Sequence, residues 1–190
     1  SSRTKGKDGV LGSLDALAQK VRHGLGESMA KIAPRRLKLA TATTSSLEAL
    51  KGYSGSRAAA GEMATQLLKQ AVDLDPDFAM AHAQLGVHYY IVGNRTKGEE
   101  HFQKALSLMD RLTTREKLWI QALVEDWRGN RDQGIQNYRA YLTQYPDDSA
   151  AWFRLGYAYL ITNQAEKGIE AFKRMIELDK GSASAYVNLA

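Results

Sequence analysis

The chain has 190 residues, 44% hydrophobic and 25% charged, which is enough apolar side chain for a folded core and argues against wholesale disorder. It has no cysteine, so disulfides, thiolate metal sites and cysteine nucleophiles are excluded. The formal net charge is +5, and no apolar run approaches the roughly 18 residues that a membrane-spanning helix needs.

The charge is unevenly placed. Up to residue 40 there are nine basic and three acidic side chains, against 17 basic and 18 acidic over the rest. In this leader, Val10, Leu14, Leu17, Ala18, Val21, Leu25, Met29 and Ile32 recur every three or four residues. That spacing predicts a basic amphipathic helix over residues 1–33, weakened at Gly24 and Gly26 and ended by Pro34. Residues 34–44 read as a linker. The leader's apolar stripe is expected to cap the first helical hairpin beyond the linker, and the competing reading is contact of its basic face with phosphate. The opening Ser1-Ser2-Arg3 and the ending Asn188-Leu189-Ala190, inside an apolar pattern, lead us to expect a piece of a longer protein.

From residue 45 onward the sequence repeats. Ala64, Leu68, Ala71 and Pro76 form the second half of a first copy, whose first helix is expected near residues 46–59 with a connection about three residues short. A second copy has Leu85-Gly86, then Tyr89, Gly98 and Phe102. The same set returns 70 residues later as Leu155-Gly156, Tyr159, Gly168 and Phe172. A degenerate copy lies between them, with Ala122 and Gly134 at the small positions and Tyr138 for the Phe. Gln121 and Glu125 replace the expected Leu and Tyr there, and two extra residues fall around 111–115. That helix is expected to be rotated or displaced. Tyr186, Leu189 and Ala190 begin a fifth copy.

This pattern resembles the tetratricopeptide repeat family. Trp152, Leu155, Gly156, Tyr159, Phe172 and the Asp147-Asp148 turn match its motif closely, as do Leu85, Gly86, Tyr89, Phe102 and Ala122 in the other copies. The resemblance implies an all-α, right-handed solenoid over residues 45–190, with about four helical hairpins and the first helix of a fifth. A small residue at 86, 122 or 156 lets the paired helices approach closely, and large rings fill the flanks. A narrower similarity rests on Gly24-Leu25-Gly26-Glu27-Ser28-Met29-Ala30 and on residues 42–51. It points to the C-terminal, repeat-bearing half of large bacterial receptor-type serine/threonine kinases. This chain carries no kinase motif of its own: it lacks the glycine-rich phosphate loop, the His-Arg-Asp loop and Asp-Phe-Gly.

Chemistry is sparse. His23, His82, His88 and His101 include no i, i+4 pair, so no zinc site is expected, and His82 occupies a normally aromatic packing position. Glu99-Glu100 and Asp147-Asp148 read as helix-start or turn carboxylates rather than as an acid–base pair. No catalytic residue, metal or cofactor is expected. The family resemblance places a ligand groove on the first helix of each hairpin, here at Val87, Tyr90, Trp119, Leu123, Trp127, Phe153, Arg154 and Tyr157. Lys and Asn are absent from these positions, so the carboxylate clamp of some relatives is not supported. The expected function is protein–protein interaction or sensory scaffolding in a bacterial signalling protein, with a peptide or helix in an aromatic groove. The alternatives are a small-ligand sensor acting on an attached effector domain and, behind it, nucleic-acid binding by the basic leader. Self-association and the side of a membrane stay open.

Overall fold

The computed structural model describes Thr44 and residues 46–179. The expected leader helix, all of the linker except Thr44, and the start of the fifth copy at Tyr186, Leu189 and Ala190 lie outside these residues. The described part is all-α, with eight α-helices and one 3-10 turn among the described residues. Two compact units divide the chain at Leu85 and Gly86.

In the first unit, α1 (Leu47–Ala58) pairs with α2 (Gly61–Leu74). Ser46 caps α1 by accepting from the Ala49 amide, and only Ala59 and Ala60 link the two helices. A Cβ at Gly52 would stand 3.1 Å from the Leu67 carbonyl oxygen, so the backbones approach there. Ala64, Leu68 and Ala71 are fully buried on α2, as is Phe78 beyond it. The Thr44 hydroxyl bonds the Asp75 carboxylate, and Tyr53 packs on Phe78 with ring centroids 5.1 Å apart. The next helix, α3 (Ala79–Ile91), begins in this unit and holds His82 buried, with Nε2 3.1 Å from the Pro76 carbonyl oxygen. Trp152 makes the equivalent contact later, its indole N–H donating to the Pro146 carbonyl at 2.8 Å. His82 therefore stands in for the ring.

The second unit contains the end of α3, α4 (Arg95–Ser107), the 3-10 turn Met109–Arg111, α5 (Thr114–Arg128), α6 (Arg131–Gln144), α7 (Ser149–Ile161) and α8 (Ala165–Leu178). Here α4 packs on α5, α5 on α6, α6 on α7 and α7 on α8. A Cβ at Gly86 would lie 2.5 Å from the Phe102 ring, and one at Gly156 2.9 Å from the Phe172 ring. Each ring fills the space that glycine leaves. Ala122 and Tyr138, both fully buried, share one core cluster with Leu155 and Tyr159.

The connections inside these hairpins share one geometry. Gly93, Gly129 and Asn163 all have positive φ, at 78°, 95° and 58°. In each case the following amide donates back five residues, to the carbonyls of Tyr89, Glu125 and Tyr159 at 2.8–2.9 Å. This is a Schellman stop, which turns the chain at once into the next helix.

The middle copy keeps its small positions but turns its buried face. On α5 the buried side chains include Ile120, Leu123, Val124 and Asp126, and Gln121 is exposed. On α7 the equivalent of Gln121 is Leu155, which is buried. The burial pattern has moved by one residue because Gln121 and Glu125 cannot occupy an apolar seam. The extra residues are absorbed by the 3-10 turn and by the Thr113–Glu116 capping box.

A polar knot ties this copy to the next. Arg115 donates to the Tyr141 hydroxyl at 2.8 Å and to Asp148 at 2.7 Å, and Tyr141 donates to Asp148 at 2.6 Å. Asp148 also caps α7 through the Ala151 amide. Burial pushes the Asp148 carboxyl up, but these hydrogen bonds outweigh it and hold the group below the usual aspartate range.

The Tyr138 hydroxyl is buried and has no hydrogen-bond partner among the described residues, at the place where Phe102 and Phe172 stand in the flanking copies. Tyr138→Phe should raise stability by about 1 kcal/mol in urea unfolding, and a loss of that size would contradict the packing. Gly129→Ala forces a Cβ into left-handed backbone and should cost about 1–2 kcal/mol, whereas an unchanged midpoint would contradict the turn geometry. The lowered Asp148 value gives stability that is complete above the unfolded-state value of about 3.9 and is lost as pH falls through the folded value. Asp148→Asn should therefore be less stable than the parent at pH 7, with the gap closing on acidification below about pH 4. A gap independent of pH would contradict it.

Candidate interaction face

The first helix of each hairpin in the second unit turns one face away from its partner helix, and the expected groove residues divide according to that face. Val87 and Leu123 are buried, at 2% and 0% exposure, and so belong to the core rather than to a ligand surface. At these positions helix packing has claimed the side chain. Tyr90 lies over Gly98, and its hydroxyl donates to Glu99 at 3.4 Å. Trp119 packs edge-on against Tyr138 and Tyr141, centroids 6.2 and 5.4 Å away, as part of the core between α5, α6 and α7. Neither of these aromatic side chains is free to anchor a ligand with its whole ring.

Trp127, Phe153, Arg154 and Tyr157 form what remains. The Arg154 guanidinium lies over the Trp127 ring at 6.0 Å, a cation–π contact. Phe153 stacks on Tyr157 with centroids 6.5 Å apart and rests on Phe172 from behind. Tyr157 is 46% exposed, and Ile161, one turn further on, is 44% exposed. Trp127 also meets Tyr90 edge-on, at 6.3 Å.

The electrostatics centre on Arg154. No hydrogen bond or ion pair joins its side chain to an acid among the described residues, although it is half-buried. Burial lowers the pKa of His88, and the Arg154 charge lowers it further. Burial also raises the Asp126 carboxyl, against the opposing pull of Arg131 and Arg154. By contrast, Arg128 is engaged by Glu99, to which it donates two bonds, and by Glu125. Glu99, expected as a helix-start or turn carboxylate, is the fifth residue of α4 and serves there as the partner of Arg128. The Arg128 hydrogen bond is the main cause that holds the Glu99 carboxyl below its usual value.

Among the described residues no group of three or more His, Cys, Asp or Glu could hold a metal ion. No described helix is long and apolar enough to cross a membrane. That Arg154 has no hydrogen bond or ion pair to an acid among the described residues was not legible in the sequence, because it depends on which cations Glu99, Glu125 and Asp126 engage.

Comparison with known proteins agrees with this architecture. Residues 121–183 match the family described as Tetratricopeptide repeat. Protein O-mannosyl-transferase TMTC3 of Homo sapiens is 26% identical over 142 residues, which cover 68% of this chain and 16% of that protein. The peroxisomal targeting signal receptor of Eremothecium gossypii is 39% identical over 59 residues, 31% of this chain and 10% of the receptor. The chain thus spans only a small part of the curated relatives it matches. The solved structure of Pseudomonas aeruginosa pilF covers 75% of this chain, and 64% of its own chain is covered, with 22% identity and a TM-score of 0.51. The described helices therefore have the all-α fold of tetratricopeptide repeats, and residues 121–183 carry the match to that family.

Proposed function

We propose that this segment is a non-catalytic protein-interaction module that binds a peptide or helix across Trp127, Phe153, Arg154 and Tyr157. The fold supports a scaffold role at the coarse level, since repeats of this kind mediate contacts with protein partners. The observation that carries the finer reading is Arg154, a half-buried guanidinium over the Trp127 ring with no hydrogen bond or ion pair to an acid among the described residues, on the same helix as the stacked Phe153 and Tyr157. Such a group suits a ligand that brings a carboxylate or a backbone carbonyl, and the rings supply apolar anchorage. The short likeness to a targeting-signal receptor favours a peptide as ligand.

The likeness of residues 24–30 and 42–51 to repeat-bearing bacterial receptor kinases supports a place in a signalling protein, with the effector on another part of the parent. Under that reading the module recruits or senses a partner, and the attached domain acts.

Selection of peptides from a random phage library against the chain, followed by calorimetric titration of the winners, tests the proposal. Arg154→Ala and Tyr157→Ala should each weaken the selected peptides about tenfold or more, with the melting temperature nearly unchanged. Binders that are indifferent to both substitutions would overturn it.

A further inference from the structure

We propose a second docking site, for an acidic peptide segment with an apolar anchor, in the cleft between α6, α7 and α8. It lies on the other side of α7 from the interaction face. Trp152, Leu155 and Tyr159 succeed one another at three- and four-residue steps and line the cleft, whereas Phe153, Arg154 and Tyr157 belong to the opposite stripe. The two sites share no residue.

The cleft has a volume of about 690 Å³. Its floor is apolar. Leu142 and Leu155 are buried, and Trp152 is half-buried beside them. The indole N–H of Trp152 already donates to the Pro146 carbonyl, so the ring offers hydrocarbon rather than a donor. An apolar side chain is therefore the natural occupant of the floor.

The rim is basic. Arg139 from α6 faces Lys167 and Arg174 from α8, with Glu170 the one acid lining the cleft among the described residues. All four are exposed. Arg139 has no side-chain partner among the described residues. Lys167 bonds a neutral group, the Gln164 amide oxygen at 2.8 Å, and lies over the Tyr159 ring at 5.7 Å, so its charge is not neutralised. Among the described residues Arg174 pairs with Glu177 on its own helix, and the two side chains are 46% and 62% exposed. Three cations against one carboxylate, around an apolar floor, select for negative charge flanking an apolar residue. On α8 the rim extends from Lys167 to Arg174, about two helical turns or roughly 11 Å, which fits a short stretch of peptide better than a compact ion.

The test uses fluorescence anisotropy with three labelled dodecapeptides: repeating Glu-Glu-Leu, repeating Lys-Lys-Leu, and plain oligoglutamate. The Glu-Glu-Leu peptide should bind, and the Lys-Lys-Leu peptide should not. Oligoglutamate should bind at least about tenfold more weakly, for want of an anchor. Arg139→Glu with Arg174→Glu should abolish binding, Arg139→Gln with Arg174→Gln should weaken it, and Lys51→Gln, at an exposed lysine of α1 that does not line the cleft, should leave it unchanged. Circular dichroism melts check folding for each variant, and the glutamine pair keeps the test valid if charge reversal disturbs the helices. Absence of Glu-Glu-Leu binding, equal binding by oligoglutamate, or indifference to both Arg139/Arg174 pairs would overturn the proposal. So would loss of binding in Lys51→Gln, or full displacement by millimolar inorganic phosphate or ATP, which would mark a simple anion site.

Discussion

Where Gly86 meets Phe102 and Gly156 meets Phe172, an aromatic ring occupies the volume that a Cβ would need. That contact fixes how deeply each hairpin closes, and closure decides which side chains remain outside. In the middle copy Ala122 and Tyr138 take the same roles at a slightly larger size. An isolated hairpin of this length buries little, so the rings also serve as seats for the next hairpin, as the shared core of Tyr138, Tyr141, Leu155 and Tyr159 demonstrates.

The proposed function rests on what closure leaves over. On α7 one stripe presents Phe153, Arg154 and Tyr157, and another presents Trp152 beside the basic rim. Both stripes flank the same buried row of Ala151, Leu155, Ala158 and Tyr159, so the helix separates two surfaces, each with cations beside aromatic rings. The polar knot of Arg115, Tyr141 and Asp148 fixes the start of this helix, and the left-handed Asn163 fixes its end. A helix pinned at both ends presents its side chains with little further loss of entropy when a partner arrives.

The fold was legible because glycine, aromatic and turn residues recur at fixed spacing, and spacing survives substitution. Gly86 and Gly156, the rings four places after the second glycines, and the Pro76 and Pro146 stops could all be found from the pattern alone. The groove was less legible for a physical reason. A first-helix position one place after the small residue is exposed at Tyr157 but buried at Val87 and Leu123, since exposure depends on how the adjoining hairpins cover it. Trp119 likewise tracks the rotation of α5, which Gln121 and Glu125 foretold in kind but not in amount. The placement of Arg154 over Trp127 and the cleft beside Trp152 depend on three-dimensional neighbours from separate copies, and no local motif encodes them.

The ring-into-glycine contact is most directly tested by a double-mutant cycle on Gly156→Ala and Phe172→Leu, read by urea unfolding. If the Phe172 ring fills the space above Gly156, the added methyl should cost about 1–3 kcal/mol in the parent and clearly less once Leu replaces the ring, leaving a coupling of at least about 0.5 kcal/mol. Strictly additive losses would mean that the two side chains do not compete for the same volume, and the account of hairpin closure would fail.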